Sequence, residues 1–152
     1  MKEPLASIIL KYALYTAFVF GVVSVGTLPF MLETYNHILR GAYNLEPGYR
    51  RFILIFLMGT GVPGLWVVLE MIWMLRSIPK GPFVMRNVYA LNRIGVIFFV
   101  LSAVFFGKCL LYVTFLTLIC GFMFIGCGLF AFTLGALIRQ AVVFREENDL
   151  TI

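Results

Sequence analysis

The stretch IGVIFFVLSAVFFGKCLLYVTFLTLICGFMFIGCGLFAFTLGALI, Ile94 to Ile138, carries one charge, Lys108, in 45 residues. A helix rises ~1.5 Å per residue, so this run is about twice as long as a ~30 Å hydrocarbon layer demands. It reads as two crossings joined by a tight turn. Gly107 and Lys108 supply a polar break, yet only 14 residues separate Arg93 from it, about 21 Å of helix and too short to cross. Lys108 is therefore expected to snorkel outward from the last turns of a span over 94–114. The turn falls near Tyr112 to Leu116, and a further span covers 117–138.

Two more charge-poor runs precede this pair. No charged residue occurs from Tyr12 to Leu32, which gives a first span over 12–32. The run is too long for a signal-peptide core and no A-x-A pattern follows it, so it is expected to stay as an anchor. Phe52 to Leu75 contains one charge, Glu70, and the sequence GTGVPG from Gly59 to Gly64. It is a second span over 52–75, with a kink expected at Pro63 because proline removes a backbone donor. The polar segment from Glu33 to Arg51 between these runs reads as a loop.

Composition agrees. The chain is 62% hydrophobic and 12% charged, whereas soluble domains carry about a quarter charged residues. A soluble monomer of this composition would expose an untenable apolar surface.

Residues 76–93 form a loop with Arg76, Lys80, Arg86 and Arg93 and no acid. After Pro82, the residues Val84, Val88, Leu91 and Gly95 recur at helical spacing with Arg86, Tyr89 and Arg93 off that stripe, predicting a short amphipathic helix on the cytoplasmic membrane surface. With four spans, eight of the 12 basic residues share one side, namely Lys2, Lys11, Arg76, Lys80, Arg86, Arg93, Arg139 and Arg145, against Arg40, Arg50, Arg51 and Lys108. The excess of basic residues on cytoplasmic loops then places both termini in the cytoplasm. The expected fold is an all-α integral membrane four-helix bundle, one transmembrane domain over 1–152 with a cytoplasmic tail over 139–152.

Little of the chain is suited to chemistry. Cys109, Cys120 and Cys127 form no CxxC pair, and His37 stands alone in the polar segment, so neither a metal nor another cofactor is expected. GTGVPG lacks the Lys and Ser/Thr of a phosphate-binding loop. No nucleophile and base can be paired, and no basic stripe with interleaved aromatics suggests nucleic acid. An enzyme is not expected. The one carboxylate inside a span is Glu70, which in lipid needs a partner, water or a proton. Arg93, Arg139 or Arg76 could pair with it; a conformational or proton-sensing role and coupling of ion transport are the other readings. In the fourth span Cys127, Ala131 and Gly135 recur every fourth residue, as Ala103 and Gly107 do in the third, giving seams for close helix approach. These are expected to close within the monomer, with a homo-oligomer as the alternative. The tail Arg145, Glu146, Glu147, Asn148, Asp149 followed by Leu150 to Ile152 reads either as a solvated end or as a segment docking on a basic protein surface.

Two segments, LRSIPKGPFVMRNVYALNRIG (Leu75 to Gly95) and LIRQAVVFREENDLTI (Leu137 to Ile152), carry a resemblance. With Gly81, Phe83, Asn87, Leu91, Ile94 and Gly95 in the first and Arg145 to Ile152 in the second, the chain resembles the bacterial membrane family called domain of unknown function 2975. The spacing departs slightly, since Pro82 stands between Gly81 and Phe83. The resemblance implies a small four-pass inner-membrane protein, often encoded beside a helix-turn-helix regulator. It implies no activity. The expectation that follows is a regulatory or partner-binding component docking such a regulator through Arg86, Asn87 and the residues Arg145 to Asp149, with Glu70, Arg93 and Arg139 as an intramembrane coupling group. The alternative expectation is a small oligomeric transporter or resistance protein in which Glu70 couples to a proton or cation.

Overall fold

The computed structural model describes residues 5–39, 47–77 and 84–149. They form four helices: α1 Leu5–Leu39, α2 Pro47–Ser77, α3 Met85–Leu111 and α4 Phe115–Asp149. Each is long and apolar enough to cross a bilayer. The chain is an all-α, multi-pass membrane protein. Only helices of this kind satisfy their own backbone donors and acceptors in lipid.

The helices outrun the apolar segments that announce them. Glu33 to Leu39 continue α1, and Pro47 to Arg51 open α2, so those parts of the polar segment are helix rather than loop. Pro47 suits an initial position because its missing N–H is one that a helix start leaves unbonded anyway. Pro29 and Pro63 lie inside α1 and α2, and both helices continue through them.

The short amphipathic helix expected between spans two and three is not present as a separate element. Residues 78–83 of that stretch lie outside the described residues, and Arg76 and Ser77 complete α2. From Met85 the chain is already α3, which runs unbroken to Leu111. Of the stripe, Val88, Leu91 and Gly95 are buried, whereas Val84 precedes the helix and is exposed. These three pack against neighbouring helices instead of lying on a membrane, and no proline occurs between Met85 and Leu111.

Each helix is antiparallel to the next, and the backbones approach in the order α1 on α2, α2 on α3 and α3 on α4, with α1 and α4 outermost. A three-way core of Val67, Ile94 and Ala131 joins α2, α3 and α4, with Met71, Ile97 and Phe98 against it. α1 has almost nothing buried beyond its contact with α2, where Gly21 receives Leu65 and Gly61 receives Val25. The α3/α4 seam is the most extensive. A Cβ at Gly95 would come 3.0 Å from Phe132, one at Gly121 3.1 Å from Phe106 and one at Gly128 2.9 Å from Phe99. Glycine in one helix thus seats a phenylalanine of the other, in a single antiparallel register that also sets Asn92 Oδ1 3.1 Å from a Cβ at Gly135. In lipid, where apolar area gives helices no reason to associate, such close packing and buried hydrogen bonds hold them together. The Ser102 hydroxyl donates to the Gly121 carbonyl at 2.9 Å within this seam.

The predicted seam residues are redistributed. Ala131 and Gly135 are buried, but Cys127 is exposed and its neighbour Gly128 takes the inward place. Ala103 and Gly107 face outward. The α3–α4 turn comprises Tyr112 to Thr114, and it is closed by the Tyr112 amide on the Lys108 carbonyl and by the Thr117 and Leu118 amides on the Thr114 carbonyl.

Candidate functional site

Antiparallel packing gathers Lys11, Arg76, Arg86, Arg93, Arg139 and Arg145 toward one end of the molecule, the basic end. Arg50, Arg51 and Lys108 mark the other, the turn end. Glu70 lies two turns inside the basic end on α2 and is 2% exposed. Arg93, two turns into α3, reaches it with Nε 2.8 Å from Oε1 and Nη2 3.1 Å from Oε2. Both carboxylate oxygens are therefore engaged by one planar guanidinium, the strongest arrangement available to such a pair. Helix spacing explains it. Glu70 is one turn beyond Val67 and Arg93 immediately precedes Ile94, so the core contact brings their side chains to the same level.

The pair is asymmetric in exposure: the Glu70 side chain is 3% exposed and that of Arg93 57%. The outer side of Arg93 borders a shallow pocket of ≈ 420 Å³ with Tyr89, Asn92, Val96 and Ile97. Of the three arginines the sequence offers to Glu70, the other two are elsewhere. Arg76 donates to the Tyr15 hydroxyl, with Nε at 2.9 Å, and lies over the ring, fastening α2 to α1. Arg139 is exposed on α4 and makes no ion pair among the described residues.

Asn87 is not on the surface. It is 3% exposed, with Oδ1 2.7 Å from the Ser77 hydroxyl, which is also 2.7 Å from the Met74 carbonyl. It ties the end of α2 to the beginning of α3. Arg86, one residue earlier, is exposed and without an ion pair among the described residues. On α4, Val142 is the last buried residue and stands level with Met85 at the start of α3. Beyond it the helix continues to Asp149, projecting about 10 Å past α3, with Arg145, Glu146, Glu147 and Asn148 exposed. Asp149 belongs to this helix by its backbone, and Leu150 to Ile152 lie outside the described residues.

Reading the sequence singles out Glu70 and Arg93 but misses the bond from Arg76 to Tyr15, the bond from Ser77 to Asn87 and the approach of Asn92 to Gly135. The first of these had a signal, since antiparallel pairing of spans one and two sets the end of one against the beginning of the other. Lys108 Nζ donates to Thr117 Oγ1 at 3.1 Å beside the α3–α4 turn and lies 5.0 Å from the centre of the Phe56 ring. Glu33 pairs with Arg50 at 3.0 Å. Among the described residues no group of three His, Cys, Asp or Glu could hold a metal ion.

The family model described as protein of unknown function (DUF2975) matches residues 6–152. The match spans nearly the whole chain, and the chain belongs to that family. No curated protein and no solved structure matches it.

Proposed function

We propose that this family member is a membrane-held regulatory component which binds a cytoplasmic protein at its basic end. The observation that carries the proposal is the α4 extension, a helix with exposed acidic residues that continues beyond the level at which α3 begins. Crossing the membrane takes about 20 residues, and α4 has 35. Glu146, Glu147 and Asp149 gain nothing from an anionic leaflet, and they complement a basic protein surface. The nucleic-acid-reading face of a helix-turn-helix regulator is such a surface, and its capture at the membrane would keep it from DNA. Arg86 and Arg139 supply charges of the opposite sign nearby, which favours one orientation of the partner. The basic excess supports an orientation with this end and both termini in the cytoplasm, and the resemblance to a bacterial membrane family supports an inner-membrane location.

Glu70 and Arg93 then act as the rigid link between α2 and α3 beneath the docking surface. A shift of α2, caused by the membrane or by a ligand from outside, is passed through this link to Arg86 and to the level at which α4 emerges. The two-point engagement of the Glu70 carboxylate supports this coupling role over proton or cation transport, for which a carboxylate must be released in each cycle.

The test is co-purification from native membranes with the intact chain, with a chain ending at Phe144, and with Glu146→Lys/Glu147→Lys. A soluble partner retained by the first and lost from the other two is expected. Identical partners for all three would remove the docking function.

A further inference from the structure

The turn end holds a groove of ≈ 390 Å³ between α2 and α3, bordered by Phe52, Ile55, Gly59, Val104, Gly107 and Lys108. We propose that it binds one anionic phospholipid of the surrounding leaflet, with the phosphate at Lys108 and an acyl chain along the apolar floor. The proposal does not depend on docking at the opposite end.

Charge comes first. Lys108 is half-buried, and no carboxylate among the described residues lies within ion-pair distance of it. One of its three donors goes to Thr117. The Phe56 ring offsets part of the cost of holding the charge there, but an apolar groove with an ammonium at its mouth that has no carboxylate partner among the described residues is complementary to an amphiphilic anion. Arg51, exposed and likewise without an ion pair among the described residues, stands one turn beyond Ile55 on the same side of α2.

Depth and shape agree with the charge. Lys108 is three residues from the end of α3, about 5 Å along its axis and so near the level of lipid headgroups. From there the groove descends past Val104 toward the bilayer centre, the direction an acyl chain takes. Its floor is made by two glycines at which an added Cβ would meet nothing within 4 Å. The space above them is therefore free for an occupant, and larger side chains there would fill the groove without striking the protein.

Native mass spectrometry of the purified chain, released from micelles holding equimolar phosphatidylglycerol and phosphatidylcholine, tests this. The tightest-held lipid should be phosphatidylglycerol by about fivefold, the effect of one basic residue near a membrane surface. Lys108→Gln should abolish the preference and Lys108→Arg should keep it. Gly59→Leu/Gly107→Leu, which leaves the lysine in place, should reduce retention of both lipids. Wild-type preference in Lys108→Gln, or wild-type retention in the glycine variant, would overturn the site. Displacement of the phospholipid by equimolar oleate would overturn the assigned occupant.

Discussion

Glu70 is sealed inside the molecule while Arg93 keeps more than half of its side chain open, and this difference sets what each substitution does. Removing one member of a buried pair costs about 3–5 kcal/mol because the other is left charged and unpaired. Arg93→Gln leaves Glu70 with no such escape, and stability should fall by about 3 kcal/mol. Glu70→Gln leaves an arginine that can swing toward the headgroups, and the loss should be about half as large. In Glu70→Gln/Arg93→Gln no charge is stranded, and stability should recover above that of Arg93→Gln alone. Unfolding in mixed micelles measures all three, and equal losses for the two single variants would show that the exposure difference has no energetic weight. The pair also shows how far single residues were legible. A carboxylate inside an apolar run advertises itself, and so does its need for a cation. Which of three arginines answers depends on the rotation of α3 and α4 about their axes, and a lipid-facing apolar surface leaves no polar stripe from which to read that rotation.

At the scale of elements, the α3/α4 hairpin is built on glycines that seat phenylalanines. Gly128→Ala would push a Cβ to 2.9 Å from the Phe99 ring and 3.3 Å from the Gly95 carbonyl oxygen, overpacking worth about 1–3 kcal/mol. Gly126, two residues away, has nothing within 4 Å, and Gly126→Ala should change stability by no more than about 0.5 kcal/mol. A comparison of the two by the same unfolding assay checks the register directly; similar effects would place the seam on another face. α1, which among the described helices rests on α2 alone, should exchange its amide hydrogens before residues 87–102 and 117–142 do, and equal protection across all four helices would contradict its peripheral place. The α3–α4 turn was readable despite having no Gly, Pro, Asn or Asp, because the length of a crossing left it nowhere else to fall. The amphipathic helix was misread for a reason specific to membranes. Small and apolar residues at helical spacing describe a face that packs on other helices as well as one that lies on lipid, and only the unbroken continuation of α3 separates the two.

For the molecule as a whole, class and number of crossings were legible because lipid thickness fixes how much apolar chain each crossing uses. The separation of Lys11, Arg76, Arg86, Arg93, Arg139 and Arg145 from Arg50, Arg51 and Lys108 was legible for the same reason, since it needs only the order of the crossings; Lys2, Arg40 and Lys80 lie outside the described residues. The packing order was not, because spans of nearly uniform hydropathy do not say which neighbours they touch. The proposed function draws on that order: α3 and α4 form a tight hairpin whose outer helix ends in acidic residues, α2 meets α3 through Glu70 and Arg93, and α1 lies at the edge. Docking, regulation and orientation all require the basic end to face the cytoplasm. Single cysteines at Arg51→Cys and Arg145→Cys, each in a chain with Cys109, Cys120 and Cys127 replaced by alanine, can be exposed to a membrane-impermeant thiol reagent in cells whose outer membrane has been made permeable. Position 51 should react while the inner membrane is intact and position 145 only after it is broken; reaction at position 145 in sealed cells would contradict the orientation and the function built on it.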